Sequence, residues 1–262
     1  MTPILVFDLE TVPDVAGLRR LKGHADDLCD ADVVAQALAE REARTGREFM
    51  PHHLQRVIAV GCVFRDDDGL RVRSLGTLSD DEPRLIGDFF RTVDKYTPQL
   101  VSWNGSGFDL PVLHYRSLLH GLGAQRYWDT GDDDREFKWN NYLSRFHTRH
   151  LDLMDVLAGY QGRAAAPLDE LAKLCGFPGK LGMDGSQVWS SYQAGGLDQI
   201  RAYCETDVMN TWLLYCRFQL IRGSLSATAY QDEIELARDM LSARTEPHWQ
   251  QYLAAWPAQP VC

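Results

Sequence analysis

The sequence predicts an α/β protein in which a mixed β-sheet is flanked by helices. Three observations predict it. The run Ile4 to Phe7 is continuously apolar and rich in β-formers, the pattern of a strand buried on both faces, so it should be central. The segments that follow read strand, hairpin, helix, strand, helix, helix, which favours one sheet layered with helices. Of the 262 residues, 45% are hydrophobic and 24% charged, enough apolar material for an ordinary globular core.

The elements follow in order. The first strand, Ile4 to Phe7, ends in Asp8-Leu9-Glu10-Thr11, and Pro13 closes it. Val57 to Phe64 is a second strand. The acidic turn Asp66-Asp67-Asp68-Gly69 joins it to an alternating third, Leu70 to Leu75, to make a hairpin. Asp80 to Tyr96 reads as an amphipathic helix with Leu85, Ile86, Phe89, Phe90 and Val93 inward. Leu100 to Trp103 is a short strand, Asn104 to Gly107 its turn, and Asp109 to Leu119 a helix stopped near Gly121. Leu151 to Leu157 opens as strand or helix, Leu168 to Cys175 is a short helix, and Phe177 to Gly185 is a glycine-rich loop. A long helix from Leu197 to about Arg222 carries Tyr203 and Asp207, and the tail from Ser224 reads as two helices split around Pro247. Residues 14–56 stand apart as a mostly helical insertion, clearest from Asp32 to Arg44 with Gly46 as its stop. Its place in the chain would let it fold over a cleft. Residues 126–150 are a second stretch apart, aromatic and of mixed charge.

Composition excludes several classes. No apolar run approaches the length of a membrane span, and the opening MTPILVFDLET carries no secretory leader. The six cysteines form no CxxC pair, which argues against a zinc ribbon and for reduced thiols in the cytoplasm. With 27 Lys+Arg against 37 Asp+Glu, the net charge of −10 argues against binding nucleic acid by bulk charge. It leaves room for an enzyme that recruits cations to meet a phosphate.

The chemistry lies in the carboxylates. Asp8 and Glu10 are two apart on a strand, so they share a face, where apolar Ile4 and Val6 give way to acid. A solvated strand end would look the same. Asp109 follows a strand and a glycine turn, the place of a helix cap with Pro111 in the first turn. Tyr203 and Asp207 are four apart on a helix and share a face. Brought together, such carboxylates repel: two at 5 Å cost roughly 3 kcal/mol at an effective dielectric of 20. Hard divalent cations compensate such a cluster, and a pair of them suits phosphodiester hydrolysis.

The segments FDLET (Phe7 to Thr11), NGSGFD (Asn104 to Asp109) and YCETD (Tyr203 to Asp207) resemble, in order, the three exonuclease motifs of the DEDD superfamily. The Tyr-x-x-x-Asp form is that of its tyrosine subclass. SWNGSGFDLPVL, GFPGK, DGSQV and YCETDVMNTWLLY are similar to a group of stand-alone predicted 3′–5′ exonucleases related to the proofreading domain of family B DNA polymerases. The resemblance covers roughly residues 1–222. It implies a ribonuclease H-like fold over 1–222, with 14–56 as helical insertion and 223–262 as a helical C-terminal extension packed on the same domain.

The resemblance also implies roles. Asp8 bridges two Mg²⁺ or Mn²⁺ ions, Glu10 and Asp207 complete the site of the water-activating metal, and Asp109 holds the second. Tyr203 orients the attacking water. Leu9, Thr11, Asn104 and Phe108 line the substrate cleft, Leu9 and Phe108 against the terminal base or sugar. Leu9 and Phe108 are equally readable as core. The implied activity is two-metal-ion 3′–5′ exonuclease action, on single-stranded DNA before RNA. A chain too short to hold a polymerase as well would trim freely or serve a polymerase or repair partner. A 3′–5′ exoribonuclease and a non-catalytic nucleic-acid-binding or partner-docking module with a vestigial site remain the alternatives.

Weaker signals have simpler readings beside them. Trp103 suits base stacking but core packing better. Arg135, Lys138, Arg145 and Arg149 among Phe137, Trp139, Tyr142 and Phe146 suit single-stranded nucleic acid, or an amphipathic helix with a solvated basic face. His147 and His150 lack a third soft ligand for a metal, and adjacent His52 and His53 diverge. Lys180 reads as solvated before it reads as a phosphate contact. Asp152 suits either support of the site or a helix cap.

Overall fold

The computed structural model describes residues 1–23, 28–47 and 49–257. Parts of the expected insertion and the last five residues of the expected tail, Cys262 among them, lie outside the described residues. The strands are β1 (Ile4–Pro13), β2 (Gln55–Asp66), β3 (Gly69–Ser74), β4 (Gln99–Ser102) and β5 (His150–Asp152). The helices are α1 (Val15–Lys22), α2 (Asp30–Thr45), α3 (Glu82–Tyr96), α4 (Asp109–His120), α5 (Gln125–Trp128), α6 (Leu153–Leu157), α7 (Leu168–Leu174), α8 (Val188–Gln193), α9 (Leu197–Ile221), α10 (Ala227–Ser242) and α11 (Pro247–Ala255).

The strand order is β3-β2-β1-β4-β5. β1 is central, antiparallel to β2 and parallel to β4. Its apolar run has the reason the sequence suggested, because both faces are covered. Leu5, Phe7 and Leu9 pack with Phe89, Phe90 and Val93 of α3 and Leu113 of α4. Val6 packs on the opposite side with Val208, Met209 and Trp212 of α9. The fold is a five-stranded mixed sheet flanked by helices, ribonuclease H-like as expected.

Several boundaries differ from the expectation. β1 runs on to Pro13, because β2 pairs with it as far as Gln55. Asp8 and Glu10 therefore lie within the strand. The register shifts between Glu10, opposite Ala59, and Thr11, opposite Val57. Such a bulge bends the ladder beside the acidic residues. Leu151 to Leu157 is both strand and helix, divided between β5 and α6. No long helix spans 126–150. Asp129 instead draws the backbone amides of Gly131 and Asp134 onto its carboxylate, and short turns follow. Phe137 and Tyr142 are core, whereas Trp139 and Phe146 are exposed, so the basic and aromatic residues there form no single face. α8 was not foreseen; its polar sequence, VWSSYQ, hides the pattern.

The insertion holds its own small core of Leu18, Val33, Val34, Ala37 and Met50. α10 and α11 pack Tyr230, Ile234, Trp249 and Tyr252 into the cluster that holds α9.

Candidate active site

β1 supplies the first two carboxylates. Alternation turns Asp8 and Glu10 toward α9, on the face shared with Val6 and Val12. Asp8 lies opposite Gly61 of β2. A Cβ on Gly61 would stand 2.8 Å from Cys204 Sγ and 2.9 Å from the Cys204 carbonyl oxygen. Only glycine lets α9 approach this closely. The Gly61 amide donates to Cys204 Sγ at 3.2 Å, and Cys204 Sγ lies 3.7 Å from Asp8 Oδ2. That contact brings Tyr203 and Asp207, on either side of Cys204 along one helical face, over the strand.

Asp109 does not serve as the cap its sequence position suggests. Phe108 occupies the cap position of α4 without a side-chain bond. Asp109 Oδ1 accepts the Leu9 amide at 2.9 Å, tying α4 to β1. Asn104 makes the preceding turn in the left-handed region, with φ of 65°. Its amide and that of Ser106 donate to the two oxygens of Asp152 at 2.9 and 2.8 Å. Asp152 also caps α6, the helix-cap reading of that residue.

Lys180 is where the expectation fails. Its ammonium lies 2.8 Å from Asp207 Oδ2 and also donates to the Tyr203 hydroxyl. The glycine-rich loop is held in place from behind: Gly179 bonds through both backbone groups to the amide of Asn210, and the Lys180 amide donates to Asp169. A lysine in a glycine-rich segment reads as solvated from sequence; its contacts here arise only because α9 and the loop fold together.

The electrostatics are those of an undercompensated acidic centre. Burial first, then the charges of Asp109 and Asp207, raise the Asp8 carboxyl well above its usual range. Burial and the neighbouring Asp8 and Asp207 do the same to Glu10. Burial pushes Asp109 up to about 7. Asp207 is also raised by burial, although Lys180 opposes the shift. Burial alone would lower Lys180, but Asp207 together with Asp8 and Glu10 offsets it and the net shift is upward. Tyr203 is raised, by burial and then by Asp207, and so keeps its proton.

The residues fit divalent cations. Asp207 is 3% exposed, and its Oδ1 has no hydrogen-bond partner among the described residues. Glu10 is 7% exposed and is raised by burial and by neighbouring carboxylates. Buried oxygens left in this state call for a positive partner. Oxygen donors of this kind suit Mg²⁺ or Mn²⁺.

The expected cleft residues divide. The Leu9 side chain is in the core with Phe7 and Phe89, and what it gives the site is its amide. Thr11 Oγ1 donates to Gln55 Oε1 at 3.0 Å. Phe108 is partly buried and meets the rings of Phe49 and His52 at centroid distances of 5.5 and 5.6 Å, which brings the end of the insertion against the motif turn. Trp103 packs partly buried against the core. His150 bonds to Ser102, and the Asn141 amide donates to His147, so the two histidines serve structure. Cys204 and Asn210 were missed, since a cysteine or asparagine inside a helix carries no signal by itself.

The fold is that of a ribonuclease H-like domain. Residues 47–256 match the predicted 3′–5′ exonucleases related to the exonuclease domain of PolB, and the chain belongs to that family. The matched span contains Asp109, Lys180, Tyr203 and Asp207; Asp8 and Glu10 precede it. The fold is similar to that of the family B DNA polymerase from the hyperthermophilic archaeon Pyrobaculum calidifontis. The TM-score is 0.51 at 17% identity, over 92% of this chain and 29% of the polymerase chain. No curated protein matches the sequence. No helix among the described residues is long and apolar enough to cross a membrane.

Proposed function

We propose that the protein removes nucleotides from the 3′ end of single-stranded DNA by hydrolysis assisted by two divalent cations, Mg²⁺ or Mn²⁺. The observation that carries this reading is the convergence of four carboxylates with raised proton affinity, three of them buried and Asp8 half-buried, with Asp207 Oδ1 without a partner among the described residues. Asp8, Glu10, Asp109 and Asp207 hold the cations. Bound there, the cations lower the pKa of the attacking water and offset charge on the departing 3′ oxygen.

The chain's own residues do the rest. Tyr203 keeps its proton and so orients the water by a hydrogen bond; it does not act as base. The Lys180 ammonium, between Tyr203 and Asp207, is placed to stabilise negative charge on the scissile phosphate. Asn104 and Phe108, in the turn before Asp109, contact the terminal nucleotide, with Leu9 and Thr11 of β1 as the further substrate-binding residues. Residues 1–222 are the exonuclease domain and the remainder is a helical extension that buttresses α9.

Preference for DNA rests on the family's relation to a DNA polymerase's exonuclease domain. A polymerase or repair complex is the matching partner. The free thiols Cys62, Cys175, Cys204 and Cys216 suit the reducing cytoplasm. The test of substrate class is digestion of 5′-labelled single-stranded DNA and of RNA of the same sequence, in Mg²⁺ or Mn²⁺. Faster shortening of the DNA supports the reading. Faster shortening of the RNA makes the enzyme an exoribonuclease, and binding without shortening makes it a docking module.

A further inference from the structure

We propose that Arg145, Phe146 and Tyr160 form a second contact for single-stranded nucleic acid, a platform on which bases stack on the 5′ side of the end being hydrolysed. Residues 126–150 share no face among themselves, but Tyr160 completes one around Arg145. Phe146 is 76% and Tyr160 44% exposed, and their ring centroids lie 6.5 Å apart. The exposed Arg145 guanidinium sits 4.9 Å from the centre of the Phe146 ring and 5.5 Å from that of Tyr160. Exposed rings with a guanidinium over them meet both parts of a single strand: bases stack on the rings, and the cation meets phosphate.

Charge selects this partner. Arg149 of the same loop reaches Glu136 at 4.0 Å, whereas Arg145 makes no ion pair among the described residues. Half-buried Asp155 feels the charge of Arg145 but stands outside ion-pair distance. Lys138 lies over the Trp139 ring and Arg163 donates to Gln161, so neither of these exposed cations is spent on a carboxylate. An apolar partner would cover such cations without pairing them; a polyanion with stackable bases answers both features.

A short run of bonds joins the platform to the candidate centre. The amides of Asn104 and Ser106, in the turn before Asp109, donate to Asp152, which caps α6. Beyond α6 the Tyr160 amide donates to the Asp155 carbonyl oxygen at 2.7 Å, and the Tyr160 hydroxyl donates to the Arg145 carbonyl oxygen at 3.3 Å. The five residues of α6 make about 8 Å of helix. Tyr160 takes φ of 58°, a left-handed conformation that bulky residues seldom adopt. Such strain is kept where a side chain must be aimed. The 5′ assignment rests on the proposed exonuclease reading, since with the 3′ end at the carboxylates every other nucleotide lies 5′ of it. Binding at the platform does not.

The test measures fluorescence anisotropy of labelled single-stranded DNA of about 16 nucleotides, the upper end of a single-strand site, with the full chain in chelator so that nothing is hydrolysed. Phe146→Ala, and Tyr160→Asn, which suits the left-handed backbone, should each weaken binding by about fivefold or more. Arg145→Gln should lower the slope of log affinity against log salt by about 0.7, one phosphate contact. Leu118→Ala, at an 82% exposed apolar residue of α4, should bind as the wild type does. Melting curves establish that each variant is folded. No binding by the wild type, equal affinity in Phe146→Ala and Arg145→Gln, or an equal loss in Leu118→Ala overturns the proposal. With Mn²⁺, the ratio of kcat/KM for the long strand to that for a dinucleotide should fall by about fivefold or more in Phe146→Ala, and an unchanged ratio overturns the grip during hydrolysis. A strand bound through Arg145 and Phe146 by a protein that hydrolyses nothing would retain the platform and remove the exonuclease. A 3′ ladder from a protein whose binding ignores these residues would do the reverse.

Discussion

Asn210 of α9 pairs with the backbone of Gly179 in both directions, donating to its carbonyl at 2.9 Å and accepting its amide at 3.2 Å. The same Asn210 oxygen accepts the hydroxyl of Tyr252 from α11 at 2.8 Å. A fully buried amide thus clamps the loop whose next residue, Lys180, reaches Tyr203 and Asp207. The C-terminal helices meet the site through this residue.

The first prediction follows from that clamp. Asn210→Ala leaves the Gly179 backbone groups and the Tyr252 hydroxyl without their partner. Each buried loss costs about 1–3 kcal/mol. The variant should melt lower and lose turnover, since Lys180 is no longer held. Tyr252→Phe should cost about 1 kcal/mol and leave turnover nearly intact. Thermal melts and single-turnover rates check both. Normal turnover in a folded Asn210→Ala protein would show that the clamp does not position Lys180.

Lys180 itself has opposite effects on metal and on rate. Lys180→Ala removes the cation that lowers the proton affinity of Asp8, Glu10 and Asp207. The remaining carboxylates should bind Mn²⁺ more tightly, giving a larger metal-induced rise in melting temperature. Turnover should fall by about 10²-fold, the scale of one lost transition-state donor. Tighter metal with slower hydrolysis is the signature; weaker metal binding would assign Lys180 to holding the site together.

The pH dependence has a definite sign. In the metal-free protein Asp109 sits at about 7, above its ordinary value of 3.8, and Asp8, Glu10 and Asp207 are raised as well. A carboxyl raised by folding contributes stability below its unfolded pKa and loses it as pH rises through the folded one. Metal-free protein should therefore lose stability from about pH 4 to about pH 7 through this cluster. Divalent cations compete with those protons, so the stabilisation by Mg²⁺ should grow over the same range. Asp109→Asn should flatten both trends. Melts with chelator and with Mg²⁺ across that range measure them, and a metal effect that shrinks toward neutral pH would count against the cluster as a cation site.

Gly61→Ala tests the approach of α9 to the sheet. The added methyl would meet Cys204 Sγ at 2.8 Å and its carbonyl oxygen at 2.9 Å, and backbone yields poorly. A cost of about 1–3 kcal/mol is expected, with turnover lowered because Asp207 and Tyr203 move away from Asp8. Unchanged melting and rate would mean that the helix has room to spare.

Much of this was legible in the sequence because it rests on local periodicity. β1 is apolar on both faces, so its central place could be read, and the four-residue spacing of Tyr203 and Asp207 fixed them to one side of α9. The length of β1 could not be read, since the pairing that extends it to Pro13 comes from a partner more than forty residues away. Lys180, Cys204 and Asn210 were hidden for a related reason: what each does depends on contacts between segments far apart in the chain. Asp109 could be read as a cap or a ligand; the Leu9 amide decides what it accepts.

The central claim is that Asp8, Glu10, Asp109 and Asp207 act as one hydrolytic centre on a 3′ end. The most direct measurement is the time course of 5′-labelled single-stranded DNA with Mn²⁺, for the wild-type protein beside Asp8→Ala. The prediction is a ladder that shortens one nucleotide at a time in the wild type and full-length DNA with Asp8→Ala. A ladder of equal rate from both proteins, or none from the wild type, would contradict it.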